Sequence, residues 1–172
     1  MTDGPPAAAP PEPIDTLPAI FIDADACPVK DEAYRVAQRY KLKTYVVSNS
    51  HMVVPVSRLI ERVVVDAGAD VADDWIAEHA RPGDIVVTND IPLAARALKA
   101  GAAAIGATGR AFTEDSIGAA LGQRALMEHL RSTGMMSGGP KPFDRNDRSR
   151  FLQALDTAVV KSLRSKALGP RR

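Results

Sequence analysis

Apolar residues along this chain fall into short runs that alternate with segments of helical periodicity. Residues 19–23 are four apolar residues closed by an aspartate, which predicts a buried strand ending in an acid. Pro28 suits the first turn of a helix that begins at Cys27-Pro28. The apolar positions of that helix share one face: Ala33, Val36, Ala37 and Tyr40. The chain therefore begins its ordered part with a strand followed by an amphipathic helix.

The alternation continues to residue 105. Further strands are predicted at residues 44–47, 62–65, 84–88 and 102–105. Helices are predicted at residues 57–61, 73–80 and 92–99. Strands that alternate with helices are typical of βαβ units. We therefore predict an α/β fold with a mostly parallel central sheet between layers of helices.

The segment after residue 112 has a different pattern. Residues 114–131 predict one helix and residues 144–166 another, with a glycine-rich loop at 134–140 between them. Before the sheet, residues 1–18 hold six of the 13 prolines, which favours a disordered Pro/Ala-rich arm. We expect one domain at residues 19–166, which includes a C-terminal helical extension, and a basic tail at 167–172.

Composition restricts the setting in which such a domain works. No apolar run approaches the roughly 20 residues of a membrane-spanning helix, and no basic residue precedes Lys30, so neither a membrane protein nor a secretory leader is expected. The single cysteine, Cys27, excludes an intrachain disulfide. We therefore expect a cytoplasmic protein.

Acidic residues follow the predicted strands or begin the predicted helices. They are Asp23, Asp25, Asp73, Asp74 and Asp90. The carboxyl ends of parallel strands meet at one edge of a sheet, where ligands of such folds collect. Converging carboxylates repel unless a cation neutralises them, and their oxygens suit Mg²⁺ or Mn²⁺. Two such ions can clamp a phosphodiester and activate water.

Helix capping is the competing interpretation of the same acids. Asp73, Asp74 and Asp90 stand where an N-cap or a first-turn acid is favoured. Asp23 closes an apolar strand at a distance where capping gives no reason for it. Cys27 has two interpretations as well: a reactive thiol at a helix N-terminus, or a small buried apolar residue.

Several sequence motifs resemble the YaiI/YqxD family of bacterial proteins. They are FIDADACP at residues 21–28, VADD at 71–74, GDIVVTNDIPLA at 83–94, GGP at 138–140 and the Asp147-Arg148 region. The resemblance extends in order from residue 20 to about residue 163, and the proline-rich arm lies outside it. This family is similar in pattern to the PIN-like nuclease superfamily, which implies a three-layer PIN-like domain.

The superfamily resemblance implies a metal-dependent nuclease that hydrolyses RNA. Its metal ligands would correspond to Asp23, to Asp73 or Asp74, and to Asp90, with Mg²⁺ or Mn²⁺ as cofactor. Asp25 and Asn89 would position water or metal.

Charge is distributed unevenly along the chain. The net charge is +1, but residues 1–140 carry −5 and residues 141–172 carry +6. A basic segment beside an acidic metal edge suits a polyanion such as RNA, so Arg145, Arg148 and Arg150 are expected to contact phosphates. The competing interpretation is a solvated helix face with a frayed tail.

Two other functions stay open at this point. One is a non-catalytic RNA-binding or adaptor module that keeps a relict acidic site. The other is a phosphatase similar to the haloacid dehalogenases, with Asp23 as nucleophile and Asp25 as general acid. The phosphatase pattern usually has Thr or Val where Cys27 stands, and it needs a later lysine and paired acids. Oligomeric state is not indicated by the sequence.

Overall fold

The computed structural model describes residues 17–134 and 142–167. The predicted arm before residue 17, most of the predicted glycine-rich loop and the tail from residue 168 lie outside the described residues. No helix within the described ranges is long and apolar enough to cross a bilayer.

Among the residues that the structure describes, five strands form one sheet in which every neighbouring pair is parallel. The strands are β1 (Ile20–Asp23), β2 (Thr44–Ser48), β3 (Ile60–Val64), β4 (Ile85–Val87) and β5 (Ala103–Ile105). Their order across the sheet is β3-β2-β1-β4-β5, so β1 lies at the centre. The predicted α/β fold with a parallel central sheet is confirmed.

In the described ranges, five α-helices cover the sheet. They are α1 (Lys30–Tyr40), α2 (Val71–His79), α3 (Ile91–Lys99), α4 (Glu114–Ser132) and α5 (Arg145–Ala167). Side chains of β1 alternate between the two faces: Ile20 and Ile22 belong to one buried cluster and Phe21 to the other. The first cluster packs under α1 and α5, and the second under α2, α3 and α4. The molecule therefore has the three layers expected from the sequence.

The prediction of a helix at residues 57–61 is wrong. Residues 57–59 are not helical, and β3 begins at Ile60. Here the Thr44 N–H donates to the Leu59 carbonyl oxygen at 2.7 Å, and Ile60 is buried beside Thr44 in the parallel register. Pairing along the edge of β2 outweighs the weak helical pattern, because it satisfies backbone groups of β2 that would otherwise lack partners.

The first helix also begins later than predicted. Residues 24–26 form a single 3₁₀ turn, and α1 begins at Lys30 with Val29 as its N-cap. The turn and the two residues after it, Cys27 and Pro28, separate the end of β1 from the helix. Asp25 therefore lies in a 3₁₀ turn at the edge of the sheet and not in the first turn of α1.

The last helix is part of the core. Phe151, Leu155 and Val159 of α5 are fully buried in the cluster that also contains α1 residues such as Val36. The helix named an extension in the sequence therefore covers one face of the sheet.

We predict that Phe151→Ala lowers the free energy of unfolding by about 3–5 kcal/mol, because it removes a fully buried ring and leaves a cavity. Urea denaturation monitored by circular dichroism measures this loss. Leu126→Ala is the matched control, since Leu126 of α4 is 56% exposed and its truncation should cost less than about 1 kcal/mol. Equal losses in the two variants would contradict the placement of α5.

Candidate functional site

A cleft of about 390 Å³ opens at the carboxyl edge of the sheet. Its polar lining consists of Asp23, Asp25, Asn49, Asp73, Thr88, Asn89 and Asp90. These side chains come from the ends of β1, β2 and β4 and from the first turn of α2. The strand-end rule applied to the sequence therefore located this edge correctly.

Parallel pairing of the two central strands positions the middle of the cleft. Ile22 of β1 is opposite Val87 of β4, so Asp23 and Thr88 follow side by side. The Thr88 hydroxyl donates to Asp23 Oδ2 at 2.9 Å and accepts from the Asp90 backbone N–H at 2.9 Å. One buried hydroxyl thus fixes both the orientation of Asp23 and the chain path into Asp90.

Asp90 has two roles in the structure. It is the N-cap of α3, where its Oδ1 accepts from the Leu93 N–H at 2.9 Å. The capping interpretation is confirmed for this residue. The same side chain lines the cleft, and its Oδ2 is not used by the cap. Capping therefore orients the carboxylate and leaves one oxygen for another partner.

Three of the carboxylates are close enough to repel one another. Burial raises the pKa of Asp73 to about 6, with further contributions from the charges of Asp90 and Asp23. Burial likewise raises the pKa of Asp23; the charges of Asp90 and Asp25 add to this, while the Thr88 hydrogen bond opposes it. The cleft therefore concentrates negative charge, which the Arg96 guanidinium offsets only in part at Asp73.

The structure distinguishes the two adjacent acids of α2. Asp73 lines the cleft, whereas the exposed Asp74 accepts a hydrogen bond of 2.7 Å from Arg96 Nη1 outside it. Consecutive helical residues point about 100° apart, so only one of the pair can face the site. The sequence alone left this choice open.

Asp25 and two asparagines form the rim of the cleft. The exposed Asp25 carboxylate accepts from the Asn49 N–H at 3.0 and 3.3 Å. Asn89 Oδ1 accepts from the Ala107 N–H at 2.8 Å, so the amide nitrogen of Asn89 is its remaining polar group. Asn49 was missed in the sequence, although it directly follows β2 and the strand-end rule applies to it equally.

Cys27 also lines the cleft, where its side chain is buried. It is 8% exposed, and burial raises the pKa of its thiol. Lys30 is committed to the Cys27 carbonyl oxygen through its Nζ at 2.9 Å. The interpretation of Cys27 as a small buried residue is confirmed.

The three arginines predicted to contact phosphates lie on the first turns of α5 and do not line the cleft. Arg148 Nη1 donates to the Pro28 carbonyl oxygen at 2.8 Å and pairs with Glu32 Oε1 at 3.3 Å. Arg150 pairs with Asp147 at 3.2 Å, and Arg145 is exposed. Arg148 therefore stabilises the packing of α5 against the segment that follows β1.

Within the ranges that the structure describes, no group of three or more His, Cys, Asp or Glu side chains is arranged so that it could hold a metal ion. The carboxylates of the cleft interact through space and leave water-accessible volume between them. The donor set is made of oxygens, which is the set preferred by hard divalent cations.

Comparison with known proteins establishes the family. Residues 21–161 match the family model described as "Uncharacterized BCR, YaiI/YqxD family". The chain belongs to the YaiI/YqxD family. The resemblance stated from the sequence motifs is thereby confirmed, and Asp23, Asp25, Asp73, Asp74 and Asp90 all lie inside the matched range. No solved structure matches the chain.

The alignments with related proteins cover most of this chain. A UPF0178 protein of Caulobacter sp. (strain K31) is 66% identical over 148 residues, which are 86% of this chain and 98% of the relative. A UPF0178 protein of Parvibaculum lavamentivorans is 60% identical over 140 residues, 81% of this chain and 92% of the relative. A UPF0178 protein of Rhodopseudomonas palustris (strain TIE-1) is 55% identical over 153 residues, which are 89% of this chain and 97% of the relative.

We predict that Thr88→Val destabilises the protein by about 1–3 kcal/mol at pH 7, because the Asp90 N–H loses its acceptor and Asp23 loses its donor. Urea denaturation measures the effect. Thr88→Ser is the control, since it retains the hydroxyl, and it should retain most of the stability. A Val variant as stable as the parent would show that the two hydrogen bonds contribute nothing.

The raised pKa of Asp73 predicts a pH-dependent effect of Asp73→Asn in the presence of EDTA. The favourable contribution of the protonated carboxyl is complete below the unfolded pKa of 3.8 and is lost as the pH rises through about 6. We therefore expect the variant to melt about 1–3 °C above the parent at pH 8, a small gain because the side chain is partly exposed. At pH 4 the two proteins should melt together. Differential scanning calorimetry gives both values, and a variant less stable at pH 8 would contradict the repulsion.

Proposed function

We propose that the protein is a divalent-metal-dependent phosphodiesterase that hydrolyses RNA. The observation that carries this proposal is the convergence of Asp23, Asp73 and Asp90 in one cleft, with the pKa of Asp23 and of Asp73 raised by burial and by like charge. Each carboxylate belongs to a different element. A protein that holds repelling carboxylates together in this way gains stability when a cation binds between them.

The donor chemistry of the cleft fits Mg²⁺ or Mn²⁺. Asp23 and Asp90 would bind the ion directly, and Asp73 would complete the set. Mg²⁺ is commonly held by one or two carboxylates with several waters retained, so an open cleft of about 390 Å³ suits it better than a closed cage does. When bound, a divalent ion supplies charge neutralisation and a more acidic water for attack on phosphorus.

The chain's own residues orient the reactants. Thr88 holds Asp23 through its hydroxyl, and the helix cap holds Asp90. The exposed carboxylate of Asp25, held by the Asn49 N–H, is placed to accept a hydrogen bond from the attacking water. The Asn89 Oδ1 already accepts from the Ala107 N–H, and the amide nitrogen is a donor, which suits a phosphate oxygen rather than a cation.

The same convergence supports a PIN-like relationship. The positions that this resemblance names are the acid ending the first strand, the acid at the start of the mid-chain helix and the acid of the Thr-x-Asp motif after the fourth strand. They correspond to Asp23, Asp73 and Asp90, which line one cleft. We propose this relationship on the arrangement of the three acids.

The phosphatase alternative has less support. No lysine lines the cleft among the described residues, and Lys30 is engaged by the Cys27 carbonyl oxygen. Asp84 lies at the opposite end of β4, where its carboxylate accepts from the N–H groups of Ala19 and Arg81. The paired acid that this chemistry needs is therefore not formed with Asp84. RNA cleavage and Mn²⁺ binding distinguish the adaptor alternative from the hydrolase.

The test is cleavage of single-stranded RNA by the full chain with Mn²⁺, Mg²⁺ or EDTA. We expect metal-dependent cleavage that falls at least about 100-fold in Asp23→Asn, because one oxygen ligand becomes an amide. Millimolar Mn²⁺ should also raise the melting temperature of the parent and not that of Asp23→Asn.

Asp115→Asn is the matched control, since Asp115 is an exposed acid of α4 outside the cleft. It should retain full cleavage and the full Mn²⁺ shift. Cleavage unchanged in Asp23→Asn would remove Asp23 from the mechanism. Absence of both cleavage and the Mn²⁺ shift in the parent would instead favour the adaptor module.

A further inference from the structure

A second, more open groove of about 440 Å³ lies between the loop after β5 and helix α5. We call it the α5 groove, and its lining consists of Thr108, Gly109, Arg110, Arg150, Gln153, Ala154 and Thr157. Apart from Gly109 and Ala154, each of these side chains carries a hydrogen-bond donor. No acidic residue lines this groove within the described part of the chain.

The two walls of the α5 groove are held at a fixed separation. Gly109 has a φ of +87°, and a Cβ placed on it would come within 2.6 Å of the Arg150 carbonyl oxygen. The loop backbone therefore packs directly against the backbone of α5, which only glycine permits. The loop is closed internally by hydrogen bonds from Gly106 N–H to the Arg110 carbonyl and from Gly109 N–H to the Gly106 carbonyl.

The α5 groove borders the acidic cleft. Ala107 lines the cleft and its neighbour Thr108 lines the groove, so one peptide bond separates the two sites. The Ala107 N–H donates to Asn89 Oδ1 in the cleft at 2.8 Å. The two sites are therefore lined by consecutive residues of one short loop.

The two arginines of the α5 groove give it a positive charge, and described acidic groups pair with only part of it. The exposed Arg110 side chain forms no hydrogen bond or ion pair with another described residue. Arg150 is 61% exposed and pairs through one nitrogen with the buried Asp147, which leaves other donors of its guanidinium to solvent. Thr and Gln side chains beside arginines are the groups that commonly contact phosphate and sugar oxygens.

We propose that the α5 groove binds the phosphodiester backbone of a single-stranded RNA whose scissile phosphate lies in the acidic cleft. Arg110 and Arg150 contact phosphates, and Thr108, Gln153 and Thr157 donate to phosphate or sugar oxygens. The proposal rests on the proposed function for the choice of RNA. Arg150 keeps the phosphate-binding role expected from the sequence. Arg148 does not, because it contacts Pro28 and Glu32, and Arg110 takes the second phosphate-binding position.

The test measures RNA binding separately from cleavage. Fluorescence anisotropy of a labelled oligouridylate is titrated with the full chain in EDTA over a range of NaCl concentrations. We expect Arg110→Gln/Arg150→Gln to weaken binding about tenfold, and to reduce the slope of log K against log[salt] by about 1.4, that is about 0.7 for each lost contact. Circular dichroism and the melting temperature verify that the variant is folded.

The matched control is Arg124→Gln/Arg131→Gln, which removes two exposed positive charges from α4, away from both sites. It should leave the affinity and the salt slope at the parent values. Equal weakening in the two double variants would overturn the groove, since binding would then follow net charge alone. Displacement of the RNA by polyglutamate at the same charge concentration would also overturn it, because the groove would then select an acidic polypeptide.

Failure of the groove and failure of the proposed function give different results. If metal-dependent cleavage is present but binding does not depend on Arg110 and Arg150, the groove proposal fails and the proposed function stands. If cleavage is absent in the parent but binding depends on these arginines, the proposed hydrolysis fails and the groove stands as an RNA-binding site.

Discussion

The site depends on the parallel pairing of β1 with both of its neighbours. Because β1 lies between β2 and β4 with the same direction, the ends of all three strands meet at one edge, and Asp23, Asn49 and Thr88 arrive there together. A shift of one residue in the β1–β4 register would place Asp23 beside Val87 and turn its side chain to the other face. The acidic cleft is thus a consequence of sheet register before it is a property of any single side chain.

The cleft keeps an arrangement that is unfavourable for the isolated protein. Asp73 and Asp23 are partly buried beside like charges, and Thr88 and the cap at Asp90 supply the compensating hydrogen bonds. Functional sites are where proteins retain such local conflicts, because the ligand relieves them. The rest of the fold, with an apolar cluster on each sheet face, provides the stability against which this local cost is set.

The sequence predicted the sheet and the acidic edge well, because apolar runs and strand-end acids are local signals. It failed where tertiary contacts decide. The segment at residues 57–61 is drawn into the sheet by an unpaired edge of β2, and the choice between Asp73 and Asp74 depends on helix rotation about a boundary that periodicity fixes poorly. The contacts of Arg148 with Pro28 and Glu32 join residues more than 100 positions apart, and no local pattern reports such pairs.

The burial of α5 affects how the chain folds. Its core residues complete the cluster beneath β1, although more than 100 residues separate β1 from Phe151. Contacts between such distant positions raise the relative contact order, and proteins with high contact order fold slowly, because loop closure must precede the stabilising contacts. The face of the sheet under α1 therefore exposes apolar surface until α5 arrives. Apolar surface that is exposed in this way during synthesis is prone to aggregation.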